Sequence, residues 1–141
     1  MFHKGIIATL AIICILARPV QAAELCSAEK DMLMRIAMAE AEGEDVKGKA
    51  AVMEVVLNRV KDDGYPGTVQ EVLFQNGQFS TVAKGGRYWT VVPNEECAMA
   101  LVLVEGNIDF ANGALFFSNG KSWLDTEKTF MFQLGNHKFF K

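Results

Sequence analysis

The chain has 141 residues, half of them hydrophobic and 22% charged, with a net charge of −3 and three cysteines. That length suits one domain with a real core and is too apolar for a disordered chain. The acidic balance argues against a non-specific nucleic-acid binder, and so few cysteines make neither a Cys-rich zinc site nor a disulfide-dense scaffold.

The first element is an address. Met1-Phe2-His3-Lys4 is short and basic, and Gly5 to Ala17 is an uncharged, largely apolar run of 13 residues. Val20 and Ala22 then provide small residues at −3 and −1 of a cut after Ala22. This pattern predicts a secretory signal over residues 1–22 and one domain over 23–141. A retained anchor is disfavoured, because 13 helical residues span only about 20 Å of a hydrocarbon core about 30 Å thick. The expectation is an exported protein, periplasmic or secreted to the cell wall, with no stable membrane anchor after cleavage. In an oxidising compartment Cys26 and Cys97 are expected to pair, closing a 72-residue loop worth about 4 kcal/mol in the chain-entropy model.

Helices follow. Ser27 is a candidate cap for a helix from Ala28 to Ala41, ended by Glu42-Gly43-Glu44-Asp45, which reads as a solvated break. A second helix is predicted over 46–61 and a turn over 62–67. Thr68-Val69-Gln70-Glu71 is a capping box that opens a short helix to Phe74. Residues 75–92 read as loop, and Asn94 caps a helix that stops at Gly106. The remainder, with Ala114-Leu115-Phe116-Phe117, Phe130-Met131-Phe132 and Lys138-Phe139-Phe140, is aromatic-rich and β-prone. The fold class is therefore α+β, mostly helical, with a small C-terminal antiparallel β element. Met32, Met34, Met38, Met53 and Met99 read as core filler.

The chemistry starts from what is missing. His137 is the one histidine after the signal, and HExxH, GxSxG and P-loop patterns do not occur. Carboxylate chemistry and Cys–His chemistry remain. At about 100° per residue, Glu40 falls on the same helical face as Leu33, Ile36 and Ala37. A carboxyl group at the end of an apolar stripe is desolvated, holds its proton to higher pH and can protonate a glycosidic oxygen. The competing reading is a helix-end Glu that turns back to water.

Ala39-Glu40-Ala41-Glu42-Gly43-Glu44, Gly48-x-x-Ala51-Val52, Val56-Leu57-Asn58-Arg59-Val60 and Tyr65-Pro66-x-Thr68-Val69 occur in order. Val72-Leu73-Phe74-Gln75, Gln78-Phe79-Ser80, Pro93-Asn94-Glu95 and Gly135-Asn136-His137-x-Phe139 continue the series. Together they resemble the SleB/CwlJ-type cell wall hydrolase family of spore-cortex-lytic enzymes, from about Leu33 to Lys141. The resemblance implies a lysozyme-like catalytic domain that cleaves peptidoglycan between N-acetylmuramic acid and N-acetylglucosamine. The family motif is GEARGE, and its first, catalytic Glu matches Glu40. It also implies one carboxylate rather than two, hence a lytic transglycosylase forming 1,6-anhydro ends, with no metal or cofactor. Ala39 replaces the motif's first Gly, Glu42 its Arg, and Asn119-Gly120 the family's Asn-Pro, while Ser122 to Phe130 departs in length and composition. No segment corresponds to the peptidoglycan-binding module often attached, so the implied partners are peptidoglycan and an accessory protein for wall targeting.

Other candidates carry two readings each. Gln78, Phe79 and Ser80 form a sugar-contacting loop or a hinge, and Trp89 stacks on a sugar or plugs the core. Asn58 orients Glu40 or simply ends its helix, beside Arg59, which the helix dipole favours there. Phe117 and Asn119 form a cleft wall or lead into a turn. His137 is a substrate-binding residue or a satisfied structural histidine. The alternatives to transglycosylation are hydrolysis with a second carboxylate from Glu42, Glu44 or Asp45, a Cys–His peptidase using Cys97 or Cys26 with His137, and a non-catalytic wall-binding domain.

Overall fold

The computed structural model describes residues 24–141; the expected signal segment lies outside the described residues. Helix α1 spans Ser27–Ala41, α2 Val46–Lys61, α3 Val69–Phe74 and α4 Glu95–Glu105. The loop between α3 and α4 holds two short 3-10 turns, Ser80–Val82 and Arg87–Trp89. Strand β1 (Phe116–Asn119) is followed by a one-turn helix α5 (Leu124–Glu127), then β2 (Phe130–Leu134) and β3 (His137–Phe140). Among the described residues no helix is long and apolar enough to cross a membrane.

Local capping sets most of these boundaries. Asp45, Thr68 and Asn94 accept backbone N–H groups of Gly48, Glu71 and Cys97, satisfying donors left open in the first helical turn. The first helix differs from expectation by one residue. Cys26, not Ser27, occupies the cap, and its backbone N–H is held by the Glu29 carboxylate at 2.9 Å.

Helices α1, α2 and α4 pack around one core. Leu33, Ile36 and Ala37 of α1 meet Met53 and Val56 of α2 and Ala100 of α4, all fully buried. Truncating such a leucine to alanine costs about 2–5 kcal/mol. Met99 departs from its expected core role and is 58% exposed, on the outward side of α4.

The sheet is antiparallel in the order β1-β3-β2, so the last strand in sequence is central. Phe116 pairs with Phe140 and Asn119 with His137, while a bulge at Met131 shifts the β2 register. Being central buries His137, Phe139 and Phe140. Phe139 stacks on Phe132 with centroids 4.9 Å apart and joins Ala51 and Val55 of α2, which seats the sheet on that helix.

The expected Cys26–Cys97 disulfide does not form. Both thiols are free, Cys26 exposed and Cys97 buried. Cys97 Sγ lies 3.9 Å from Met38 Sδ. Met38 is twelve residues beyond Cys26 along α1, about 18 Å of helix, whereas a disulfide needs Cα atoms within about 7 Å.

Candidate functional site

A cavity of about 190 Å³ opens where the end of α1, the end of α2, the loop after α3 and β1 converge. Glu40, Arg59, Gln78, Phe79, Ser80 and Phe117 line it. The α1 periodicity places Glu40 there, one turn beyond the buried Ile36 and Ala37. Its side chain is neither solvated nor fully enclosed.

Burial raises the Glu40 pKa above the ordinary carboxyl value, opposed by a hydrogen bond from Thr81 and by the charge of Arg87. The Thr81 hydroxyl donates to Glu40 Oε1 at 2.5 Å. Gly86 lets this loop close, because a side chain there would collide with the Thr81 main-chain carbonyl. Arg87 pairs with the exposed Glu42 carboxylate. The acid that stands where the family motif has arginine thus holds a cation near Glu40.

Behind Glu40 the polar groups brace the helix end. Lys49 is fully buried, and its Nζ donates to the Glu42 carbonyl at 3.1 Å, to the Glu44 carbonyl and to Glu96 Oε2 at 2.8 Å. It satisfies the carbonyl of Glu42, the C-cap of α1, and that of Glu44 in the turn that follows. The Glu44 side chain, expected in a solvated break, is only 9% exposed. It accepts the Asn136 N–H at 3.1 Å and presses on Gly135, whose φ of +57° and missing Cβ make room for it.

His137 is buried beneath this turn. Its ring lies close to the Glu40 main-chain carbonyl, and its Nδ1, buried without a hydrogen-bond partner, lies 3.9 Å from Glu44 Oε1. Burial lowers its pKa, with Glu44 and the Glu40 carbonyl pulling the other way. The ring meets Phe117 edge-on at 5.3 Å. His137 therefore supports the cavity from behind.

The remaining candidates divide. Gln78 and Ser80 are exposed at the mouth, and Phe79 is buried against Phe117 with centroids 6.2 Å apart. Asn58 is turned away from Glu40: its amide donates to the Ala114 carbonyl at 3.0 Å, and it borders a separate hollow with Lys61 and Gly113. Tyr88 plugs the core, whereas its neighbour Trp89 is 55% exposed, stacked on Phe74 at 5.7 Å and outside the cavity lining. Asn119 is exposed at the end of β1. Neither Cys26 nor Cys97 lines the cavity.

Sequence reasoning missed Thr81 and Arg87, which reach Glu40 from a loop without periodicity, and it underrated Arg59. Arg59 is 4% exposed, and burial lowers its pKa. No further carboxylate among the described residues lines the cavity. Among the same residues, no three His, Cys, Asp or Glu side chains converge as metal ligands would.

A family model for cell wall hydrolases matches residues 43–140. A spore cortex-lytic enzyme of Bacillus cereus is 34% identical over 106 residues, covering 72% of this chain and 40% of the relative. One from Oceanobacillus iheyensis is 33% identical over the same length, covering 37% of that protein. The chain thus spans about 40% of the curated relatives it matches. Among solved structures, the catalytic domain of the germination-specific lytic transglycosylase SleB from Bacillus anthracis superposes with a TM-score of 0.74 at 28% identity. That match covers 85% of this chain and 99% of the domain. The catalytic domain of Bacillus cereus SleB gives 0.70 at 29% identity, with 89% and 99% covered.

Proposed function

Because this chain belongs to the cell wall hydrolase family, we propose that it cuts the glycan strand of peptidoglycan between N-acetylmuramic acid and N-acetylglucosamine as a lytic transglycosylase, with Glu40 as its acid and base. The observation that carries this reading is a single desolvated carboxyl group in the cavity, beside neutral polar groups and one guanidinium. Ordinary glycoside hydrolysis needs two carboxyl groups flanking the bond. The other acids nearby are engaged: Glu42 with Arg87, Glu44 with Asn136, and Asp45 as the cap of α2.

With one carboxyl group the steps close without an activated water. Protonated Glu40 gives its proton to the glycosidic oxygen as the C1–O bond breaks, and positive charge develops at C1 of the muramic ring. The Glu40 carboxylate then takes the proton of the ring's own 6-hydroxyl as O6 bonds to C1. The products are a free 4-hydroxyl and a 1,6-anhydro end, with Glu40 protonated again. The raised pKa of Glu40 favours the first step near neutral pH. Gln78 and Ser80 at the mouth contact the sugars. The protein acts on the wall after export, by way of the signal-like segment 1–22, with an accessory protein as a candidate partner for wall targeting.

The test is mass spectrometry of products from purified peptidoglycan, with protein from Ala23 onward and its Glu40→Gln variant. Anhydro-muramic ends from the wild type alone are expected. Reducing muramic ends would replace transglycosylation by hydrolysis, and cleavage by a folded Glu40→Gln protein would remove Glu40 from its role.

A further inference from the structure

Arg59 is buried more deeply than its hydrogen bonds explain. Its Nε donates to the Leu115 carbonyl at 2.7 Å, while Nη1 is buried with no partner. Among the described residues no carboxylate lies within ion-pair distance of it, although five other cationic side chains form such pairs. The guanidinium carbon sits 5.2 Å from the Tyr65 ring centroid, 5.0 Å from Phe79 and 5.4 Å from Phe116. These rings fix its plane and keep water away. It lines the same cavity as Glu40, yet the positive charge that acts on Glu40 is that of Arg87.

A charged fork of donors held in an apolar clamp, its outer edge without an acceptor, is poised for an oxygen that arrives with a ligand. A guanidinium has no acceptor of its own, so hydroxyls, which bring a donor hydrogen too, fit it less well than acyl oxygens. The Leu115 contact satisfies only the inner edge of the group. A purely structural pillar needs no more than that contact and the rings, and leaves Nη1 unexplained.

We propose that Arg59 is a substrate-anchoring residue: its free Nη edge binds an acyl oxygen, amide carbonyl or carboxylate, carried by a sugar next to the bond that Glu40 cleaves. This rests on the glycan-cleaving reading and adds the group that sets the sugar in register. Two sources present that chemistry in peptidoglycan. The 2-acetamido group occurs on both sugars, and the lactyl group on muramic acid alone.

The experiment separates the sources and does not depend on turnover. Arginine side-chain resonances of the folded Glu40→Gln protein are followed while two disaccharides are titrated. One is N-acetylglucosaminyl-N-acetylmuramic acid; the other, N,N′-diacetylchitobiose, keeps the acetamido groups and lacks the lactyl group. Movement of the Arg59 Nε–H signal with the muramic disaccharide alone assigns the lactyl oxygen, and movement with both assigns the acetamido oxygen. Arg59→Met is expected to weaken binding of the effective disaccharide about tenfold or more, the scale of a lost charge-assisted hydrogen bond. Arg59→Lys keeps the charge, loses the fork and is expected to restore only part of the affinity. No movement of Arg59 with either disaccharide, or unchanged affinity in Arg59→Met, overturns the proposal. If Arg59→Met does not fold, the resonance titration decides alone. Wild-type protein that cleaves peptidoglycan while Arg59 stays still leaves the glycan-cleaving reading intact and removes only this anchor.

Discussion

The Thr81 hydroxyl donates to Glu40 Oε1 across 2.5 Å, joining a loop to the end of a helix forty-one residues earlier. This bond stabilises the carboxylate and so opposes the burial that raises its pKa. Thr81→Val keeps the shape and removes the donor, taking away a bond to a charged group worth about 1.5–3 kcal/mol. The Glu40 pKa then rises further, and the high-pH limb of the cleavage profile moves to higher pH. A pH–rate series on solubilised peptidoglycan measures this; an unmoved limb would detach Thr81 from the proton chemistry.

Arg87 acts on Glu40 in the same sense as Thr81, but from a solvated position shared with Glu42. Its influence is therefore open to screening. Arg87→Ala is expected to shift the same limb upward in dilute buffer, and molar salt is expected to bring the wild type toward the variant. A variant and wild type that differ equally at both ionic strengths would show that Arg87 works by packing.

His137 lies beneath the Glu40 carbonyl, and burial lowers its pKa from the ordinary value, so the ring is neutral in the folded state at neutral pH. The unfolded chain takes up a proton near the ordinary histidine value of 6.5, so stability from this group is present above that pH and declines as pH falls below it. His137→Ala removes the ring and the support together, costing about 2–4 kcal/mol of stability and lowering kcat more than it raises KM. His137→Gln retains an N–H donor and is expected to recover part of kcat. Equal kcat in both variants would reduce His137 to core filling.

Helix boundaries and the position of Glu40 on the inward face of α1 were legible because both are local. Asp45, Thr68 and Asn94 cap the helices they precede, and a 3.6-residue period puts Glu40 in line with Leu33 and Ile36. Thr81 and Arg87 were not legible, because nothing in a loop sequence states which helix end it covers. Glu44 reads as a solvated acid until Gly135 and Asn136, over ninety residues later, fold against it. Arg59 sits where the helix dipole explains it well enough, and only the aromatic clamp shows that its outer edge lacks a partner. The disulfide expectation failed because compartment and cysteine count carry no distances, whereas α1 separates Cys26 from the Met38 contact of Cys97 by most of its length.

Free thiols make a direct prediction. Denatured, unreduced protein from Ala23 onward titrates two thiols, and reductant leaves its Tm unchanged. Cys26→Ser is neutral, since Cys26 is exposed, whereas Cys97→Ser puts a hydroxyl into a fully buried site and destabilises. A Tm that falls on reduction would instead report a bridge.

Glu54 governs stability from the opposite side of α2, away from Glu40. Its Oε2 accepts the Phe110 and Ala111 N–H groups at 2.8 and 2.7 Å, and its Oε1 is buried without a partner. Burial pushes its pKa up from 4.5 to about 7, against those two hydrogen bonds and helped by Asp109. The folded protein keeps this proton to near neutrality, whereas the unfolded chain releases it near 4.5. Folding thus binds a proton in that window, and the stability from this group is full below 4.5 and lost as pH rises through 7. At about 1.4 kcal/mol per unit, the loss is on the order of 3 kcal/mol. Glu54→Gln retains an oxygen for the two N–H groups and cannot ionise, so its stability is expected to lack that slope and to gain on the wild type between pH 4.5 and 7. Urea unfolding of both proteins at pH 4.5, 6 and 8 measures the difference, and parallel curves would mean that Glu54 stays ionised in the fold.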